Sequence, residues 1–360
     1  GSPITQTGIT PGTVTDPMSG GVINPISTYP YPDFKPERTK SYEVGINARF
    51  LNGRISFDGT FYQSNTYNQT FLSVMSPTGY SGFYVQAGNV RNRGVEMTLG
   101  YNDTFGKVNY STHLTYTANQ NKIVEMVHDY RNPIDNSLVN ITELTLKEAG
   151  DVYLREGYSM SDVFTTGILQ RGRDGKLVEE GNGYQVDRSQ RIRLGSADPD
   201  FTMGWRHDIN YKNISLGLMI TGRFGGIVTS QTQAFMDAFG VSKVSAEARD
   251  NGGVMLDGHR YDAERYYNTV GGQGLMSYYT YDATNVRLQE LSLTYSLPKK
   301  WLGDVFNNAT ISFVGRNLFM FYRKAPFDPD MNGSTGTYNR SDFFMAPSLR
   351  NLGFSIKFSL

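Results

Sequence analysis

Apolar and polar residues alternate along this chain in segments of about ten residues, a period that fits β-strands with one apolar and one polar face. In the first segment, Tyr42, Val44 and Ile46 share one face, whereas Glu43 and Asn47 lie on the other. About nine such segments follow one another towards the C-terminus. The pattern predicts an all-β fold built from an antiparallel sheet whose two faces meet different surroundings.

The connections between the predicted strands alternate in length. The predicted short turns lie at residues 52–53, 102–107, 212–213 and 298–308, and the predicted long loops lie near 68–89, 120–198, 225–283 and 323–346. A transmembrane β-barrel of a bacterial outer membrane has short periplasmic turns and long extracellular loops, so this pattern favours such a barrel. A soluble sandwich or propeller is the alternative, but it gives no reason for long loops to fall on one side.

Aromatic residues lie near both ends of the predicted strands. Tyr101, Tyr110 and Tyr211 are close to the short turns, whereas Phe201 and Phe319 are close to the long loops. Amphipathic rings prefer the two interfaces of a bilayer. The apolar face is therefore predicted to contact outer-membrane lipid.

The alternation slips once, in the seventh predicted strand. Leu291 and Leu293 share a phase that Val286 and Leu288 do not follow. One extra residue in a β-bulge near Gln289–Glu290 would account for the slip.

Composition and charge exclude several classes of protein. The 34 basic and 34 acidic residues cancel, so no electrostatic attraction to nucleic acid is expected. The chain has no cysteine, which excludes disulfides and thiolate metal sites. No apolar run reaches the length of about 18 residues that a transmembrane helix requires. No cofactor is predicted.

The odd number of strands differs from the even count and the closed edge of bacterial barrels. If the last strand ends in the periplasm, counting back places the start of the first strand outside the cell. We therefore expect residues 1–38 to be an extracellular loop region and residues 39–360 to be the C-terminal portion of a larger barrel.

Four motifs resemble one known family in order and in spacing. They are FKPERTKSYEVG at Phe34–Gly45, AGNVRNRGVE at Ala87–Glu96, RLQELSLTYSLP at Arg287–Pro298 and GRNLF at Gly315–Phe319. On these motifs the chain is identified as similar to the SusC-like (RagA-like) TonB-dependent outer-membrane transporters.

The resemblance implies a barrel of about 22 strands, the size of a plugged outer-membrane transporter. It also implies an N-terminal plug elsewhere that contacts the TonB complex, and a SusD-like surface lipoprotein as partner, with dimers of transporter–lipoprotein pairs. The implied activity is the import of oligosaccharides or oligopeptides. A structural or assembly-complex barrel subunit without small cargo is the alternative, because a fold does not fix a function.

An enzyme is not predicted. A barrel protease or phospholipase would need a paired nucleophile and base, and the adjacent His128 and Asp129 would point apart on a strand. The segment Asp328–Gly333 matches the start of a calcium loop through Asp328, Asp330 and Asn332. The twelfth position is Asn339, not the bidentate Glu that such a loop requires. The sequence therefore favours an Asp-Pro turn and leaves calcium unsupported.

Two groups of residues are candidates for substrate binding. The predicted wall residues of the lumen are Glu43, Asn47, Arg49, Glu96, Asn109 and Arg316. The predicted loop residues are Tyr80, Phe83, Tyr84, Tyr153, Tyr278, Tyr279 and Tyr281. The wall residues would contact passing substrate or only solvate the wall, and the aromatic rings would stack on sugars or pack against the lipoprotein.

Overall fold

A computed structural model describes residues 14–15, 22–23, 34–73, 83–131, 137–146, 152–302, 306–330 and 341–359. Among these residues, the largest sheet has nine strands, and each strand pairs with its neighbours in sequence. The strands are β1 (Arg38–Phe50), β2 (Ile55–Tyr67), β3 (Asn89–Phe105), β4 (Val108–Glu125), β5 (Phe201–Tyr211), β6 (Ile214–Phe224), β7 (Asn285–Ser296), β8 (Asn308–Arg323) and β9 (Asn351–Ser359). The predicted all-β class and the nine strands are confirmed over the described residues.

The register of β4 to β9 aligns apolar residues in rows across the sheet. One row runs through Tyr110, Ile209, Leu216, Leu293, Phe313 and Phe354. The next row runs through Val108, Tyr211, Ile214, Tyr295, Ile311 and Ile356. Many of these side chains are exposed, and Phe354 is 67% exposed. A continuous exposed apolar face of this kind needs lipid to cover it.

The predicted bulge in the seventh strand is confirmed. Met219 of β6 pairs with Glu290 of β7, and the next residue of β6, Ile220, pairs with Leu288. Gln289 is therefore the extra residue, and it restores the phase in which Leu288 and Leu291 share the apolar face.

Three predicted turns have different bounds in the structure. The one predicted at 298–308 lies between the end of β7 at Ser296 and the start of β8 at Asn308. β3 continues to Phe105, so the turn predicted at 102–107 contains only residues 106–107. The turn predicted at 52–53 is wider, because β1 ends at Phe50 and β2 begins at Ile55. Within it, the Gly53 amide donates to the Phe50 carbonyl at 3.0 Å. Gly53 has a φ of +85°, a conformation that residues with a Cβ rarely adopt.

Leu218→Arg is expected to lower the free energy of unfolding by about 2–4 kcal/mol, the cost of a guanidinium at the bilayer midplane. Leu218 lies on the apolar face, between His207 and Leu291. Met219→Arg is the matched control, since Met219 is at the same depth on the polar face, beside Glu290. Denaturant titration of the whole protein in lipid vesicles measures both variants, and equal costs would contradict the assignment of the two faces.

The long connections, at residues 68–88, 126–200, 225–284 and 324–350, contain secondary structure of their own. Their strands are Gln69–Ser73, Phe83–Ala87, Val127–Arg131, Leu138–Ile141, Glu143–Thr145, Tyr153–Arg155, Asp162–Leu169, Glu179–Glu180, Gly183–Tyr184, Val186–Ser196, Ile227–Ser230, Val254–Leu256, His259–Tyr261, Thr280–Asp282 and Ser341–Asp342. The helices are α1 (Gln231–Ala238), α2 (Lys243–Asp250) and α3 (Ala263–Val270), and a 3-10 turn covers Met276–Tyr278. A further 3-10 turn, Lys299–Trp301, follows β7, and two short strands, Val14–Thr15 and Val22–Ile23, precede β1.

The chain divides into two compact units. The first contains the described residues within Gly1–Tyr42, Gln63–Arg93 and Gln120–Met160. In this unit the Gln86 side chain donates to the carbonyls of Lys35 (2.7 Å) and Asn68 (3.1 Å) and accepts from the Lys35 amide (2.9 Å). Its fully buried side chains include Val85, Val90, Ile123, Met126 and Leu154.

The second unit contains Glu43–Tyr62, Gly94–Asn119 and Ser161–Leu360. One part of this unit folds together from three segments. We call it the loop assembly, and it contains residues 162–196, 227–282 and 341–342. The strand Ile227–Ser230 pairs with Thr280–Asp282 and, in parallel, with Ser341–Asp342. The Ser230 hydroxyl both caps α1 and donates to Asp342 Oδ2 at 2.7 Å. Parts of the connections 225–284 and 324–350 are thereby joined.

Candidate functional site

Charged side chains on the polar face of β5, β7 and β8 form a ladder across the sheet. Arg206 of β5 lies opposite Met219 of β6, Met219 opposite Glu290 of β7, and Glu290 opposite Arg316 of β8. Glu290 directly precedes the apolar residue Leu291 on β7, and successive side chains of a strand point to opposite faces. The ladder therefore lies on the face opposite the apolar rows.

The ladder is an ion-pair network of four groups. Arg206 Nε donates to Asp208 Oδ2 at 2.9 Å, and Arg206 Nη1 is 3.8 Å from Glu290 Oε1. Arg316 Nε donates to Glu290 Oε2 at 3.0 Å. Two guanidinium groups thus balance two carboxylates, and all four remain partly exposed, so the network adds little stability. It gives the wall both donors and acceptors without attracting ions of one sign.

The other predicted wall residues do not converge on one site. Asn47 donates to Asp58 Oδ2 at 2.8 Å. Glu43 and Arg49 are exposed on β1, and Glu96 is exposed on β3. β1 and β8 are separated by β2 to β7, so Arg316 and the β1 residues line different parts of the wall. Their contact with substrate stays a prediction.

Asn109 belongs to a polar cavity at the short-turn end of the sheet. The cavity has a volume of about 490 Å³, and its lining includes Arg54, Asp103 and Asn210. Arg54 Nη1 lies 3.3 Å from Asp103 Oδ2, and Thr104 Oγ1 donates to Asn109 Oδ1 at 2.9 Å.

The predicted loop tyrosines serve different local contacts. The Tyr84 ring meets Phe34 edge-on at 5.8 Å. Tyr153 is buried and its hydroxyl donates to Glu143. The Tyr278 hydroxyl accepts from the Leu169 amide at 3.3 Å. Tyr80 and the Phe83 side chain lie outside the described residues, so each of these rings remains a prediction as a substrate contact.

A shared hydrophobic core holds the loop assembly together. Its buried residues are Leu169, Leu177, Tyr184, Ala234, Tyr261, Ala263, Tyr266, Tyr267, Val270, Leu275 and Tyr279. The first three come from connection 126–200 and the others from connection 225–284. Each of the two connections supplies apolar surface that the other buries. The lipoprotein partner that the resemblance implies stays a prediction.

Buried hydroxyls are a second feature of this core. Burial raises the pKa of Tyr266 and Tyr279 far above the usual range, and the nearby Asp237 carboxylate raises the pKa of both further. Burial and Asp237 likewise raise the pKa of Tyr267 and Tyr281. These phenols therefore stay neutral.

Arg287 forms a buried hub where β7, β8 and connection 324–350 meet. Its guanidinium donates to Asn285 Oδ1 (3.3 Å), Asn317 Oδ1 (3.2 Å) and Asp328 Oδ1 (3.1 Å), and lies 2.7 Å from Asp330 Oδ2. The Arg287 side chain is only 6% exposed. The hub therefore ties the connection before β9 to the edge of the polar face.

The carboxylates of the weak calcium candidate are thus paired with a guanidinium. Asp328 Oδ2 also accepts from the Ser348 amide at 3.2 Å. Burial raises the pKa of Asp328, but the hydrogen bonds from Ser348 and Asp330 and the charge of Arg287 outweigh it, and the net pKa is lowered. Asn332 lies outside the described residues. A cation would compete with Arg287 for the same oxygens, so this geometry does not favour calcium.

The described residues contain no helix long and apolar enough to cross a membrane. In the same part of the chain, no cluster of three His, Asp or Glu side chains could hold a metal ion.

The sequence did not identify three members of the ion-pair ladder, nor the two buried groups centred on Asp237 and Arg287. Arg206, Asp208 and Glu290 fall in the polar phase of their strands, and this phase was the available signal. Asp237 carries no local pattern, and the calcium-like spacing of Asp328 and Asp330 does not indicate their arginine partner.

An apolar face that needs lipid, a polar face with a neutral charge ladder, and long connections that alternate with short turns are typical of a β-barrel of the outer membrane. The chain belongs to the family described as "TonB dependent receptor-like, beta-barrel", whose model matches residues 5–221. The predicted family and the outer-membrane location are thereby confirmed.

Curated relatives match most of this chain. TonB-dependent receptor P3 of Formosa agariphila is 25% identical over 96% of the chain and 36% of its own length. TonB-dependent receptor SusC of Bacteroides thetaiotaomicron is 23% identical over 91% of the chain and 32% of its own length. The chain therefore spans about a third of the length of the curated relatives it matches.

Solved structures show the same fold. "Structure of the RagAB peptide transporter" matches with a TM-score of 0.66 at 15% identity, over 96% of this chain and 38% of that one. The "open-open" state of the RagAB peptide importer matches with a TM-score of 0.62 at 18% identity, over 97% of this chain and 37% of that one.

Proposed function

We propose that this chain is part of a TonB-dependent importer that carries oligosaccharides or oligopeptides across the outer membrane. The observation that carries the proposal is the two-faced sheet, in which a neutral ladder of Arg206, Asp208, Glu290 and Arg316 lies behind a lipid-facing apolar surface. A wall of this kind hydrogen-bonds to uncharged polar cargo without retaining it by net charge.

A SusD-like surface lipoprotein is the proposed partner, in dimers of transporter–lipoprotein pairs. Support comes from an exposed aromatic group on the loop assembly and the segment after it. Phe235 lies 5.9 Å from Phe343 and 6.0 Å from Phe344 between ring centroids. Exposed apolar side chains in such a group favour a protein contact. The solved structures with the same fold are those of the RagAB peptide transporter and importer.

Deletion of the gene from the source bacterium is expected to abolish growth on one oligosaccharide or peptide source. Loss of TonB should give the same defect, because the proposed import draws on the TonB complex. The measurements are growth and uptake of the labelled nutrient, with the complemented deletion strain as control. If partners co-purify while no uptake depends on the receptor or on TonB, the import proposal fails and a scaffold role replaces it.

A further inference from the structure

A small cavity lies among the three helices of the loop assembly, apart from the polar face of the sheet. Its volume is about 320 Å³, and its lining includes Asp237, Phe239, Arg249, Glu264, Tyr267 and Asn268. Ligand pockets usually range from about 300 to 1,000 Å³. The size therefore suits a single hexose-sized ring.

Asp237 is a costly residue at this position. It is 4% exposed and lies in the last turn of α1. Burial removes its water, and the negative end of the helix dipole opposes its charge. Its Oδ1 accepts from Gln233 Nε2 at 2.8 Å. The Tyr279 side chain faces the same carboxylate, and a carboxylate has about four lone-pair sites, so Asp237 can also accept from a ligand hydroxyl.

Phe239 presents an aromatic ring at the same cavity. It directly follows α1 and is 77% exposed. An exposed ring beside a polar cavity offers a flat apolar surface on which the C–H face of a sugar ring can stack. Pockets that combine one apolar surface with a few placed polar groups fix the orientation of a small ligand.

The turn after α1 brings the remaining polar groups close. Gly240 has a φ of +68°, and Arg249 Nη1 lies 2.8 Å from the position that a Cβ of Gly240 would occupy. A side chain at Gly240 would therefore push the guanidinium away. Arg249 supplies donors, Glu264 supplies acceptors, and Asn268 supplies both.

We propose that this cavity binds one neutral sugar residue of a glycan, stacked on Phe239 and held through its hydroxyls by Asp237, Glu264, Asn268 and Arg249. Two carboxylates against one guanidinium disfavour phosphate or an acidic sugar. An extended peptide would require a groove or a free strand edge, which a cavity among three helices does not offer. The proposal rests on the proposed function and selects glycans within it.

Binding to the whole receptor in detergent tests this site without any need for transport. The probes are the methyl glycosides of glucose, galactose, mannose, xylose and N-acetylglucosamine, with free lysine as a cationic competitor. Saturation-transfer NMR should show at least one glycoside bound, at roughly millimolar affinity as befits a single ring. Phe239→Ala and Asn268→Ala should each weaken that binding about tenfold or more, which corresponds to about 1.4 kcal/mol.

Met255→Ala is the control, because Met255 is an exposed apolar side chain of the loop assembly that does not line the cavity. Its binding should equal that of the unmodified receptor. The exposure of Phe239 makes its replacement safe for folding, and an unchanged circular dichroism spectrum verifies this. The proposal is overturned if no glycoside binds, if lysine alone binds, or if Phe239→Ala binds normally. Normal uptake by a receptor that has lost this binding would leave the import proposal standing.

Discussion

Arg287→Gln should lower the free energy that holds connection 324–350 in place by about 3–5 kcal/mol, the usual cost of breaking a buried ion pair from one side. The variant leaves Asp328 buried without its guanidinium, and Asn317 loses a donor. Hydrogen exchange of the amides at 325–330 and 341–350 should accelerate by roughly two to three orders of magnitude, at 1.4 kcal/mol per tenfold.

Arg316→Gln is the control for this result. Arg316 is also an arginine of the same sheet in an ion pair, but its side chain is 64% exposed. An exposed pair contributes only about 0.2–1 kcal/mol, so exchange in the same segments should hardly change. Equal effects of the two variants would show that Arg287 is not the hub of this connection.

The same hub gives a pH dependence with a defined sign. The folded-state pKa of Asp328 is lowered, so its contribution to stability is complete above the ordinary carboxyl range. That contribution is lost as the pH falls from the ordinary value of about 3.9 through the lowered folded value. Protection of residues 341–350 should decrease over this acidic window, and Asp328→Asn should remove the decrease.

The strands were predictable because their signal is local. Alternation has a period of two residues, so the face that Leu291 and Leu293 share can be predicted without knowledge of any distant contact. The bulge at Gln289 followed from the same rule, since one extra residue inverts the phase. The turn at 102–107 was misplaced because Asn102 to Phe105 combine turn-forming residue types with strand geometry, which local propensity does not resolve.

The packing of the loops was not predictable because its contacts are remote in sequence. The Tyr278 hydroxyl and the Leu169 amide are 109 residues apart, and neither segment shows a period that would pair them. Asp328 shows the opposite case, in which a local pattern is present but the structure gives it another explanation. Its Asp-x-Asp spacing is a local signal for a cation, whereas Arg287, the cation that the structure supplies, lies 41 residues earlier.

Leu275→Ala should open the loop assembly while leaving the nine-stranded sheet intact. Leu275 is 0% exposed, and its Cδ2 lies 2.7 Å from the position that a Cβ at Gly167 would take. Gly167 therefore allows Leu275 to reach connection 126–200 from connection 225–284. Truncating a buried leucine to alanine leaves a cavity and costs about 2–5 kcal/mol.

That cost should fall on the loops, because proteins open in cooperative units and this core is separate from the strand rows. Limited proteolysis of the whole receptor should cut within 162–196 and 227–282 sooner, while heat-modifiable migration on gels stays unchanged. Val244→Ala, on the exposed side of α2, should alter stability by no more than about 0.5 kcal/mol. If Leu275→Ala leaves cleavage in 162–196 unchanged, the two connections do not share one core. If the sheet unfolds with them, the loops and the sheet form a single cooperative unit.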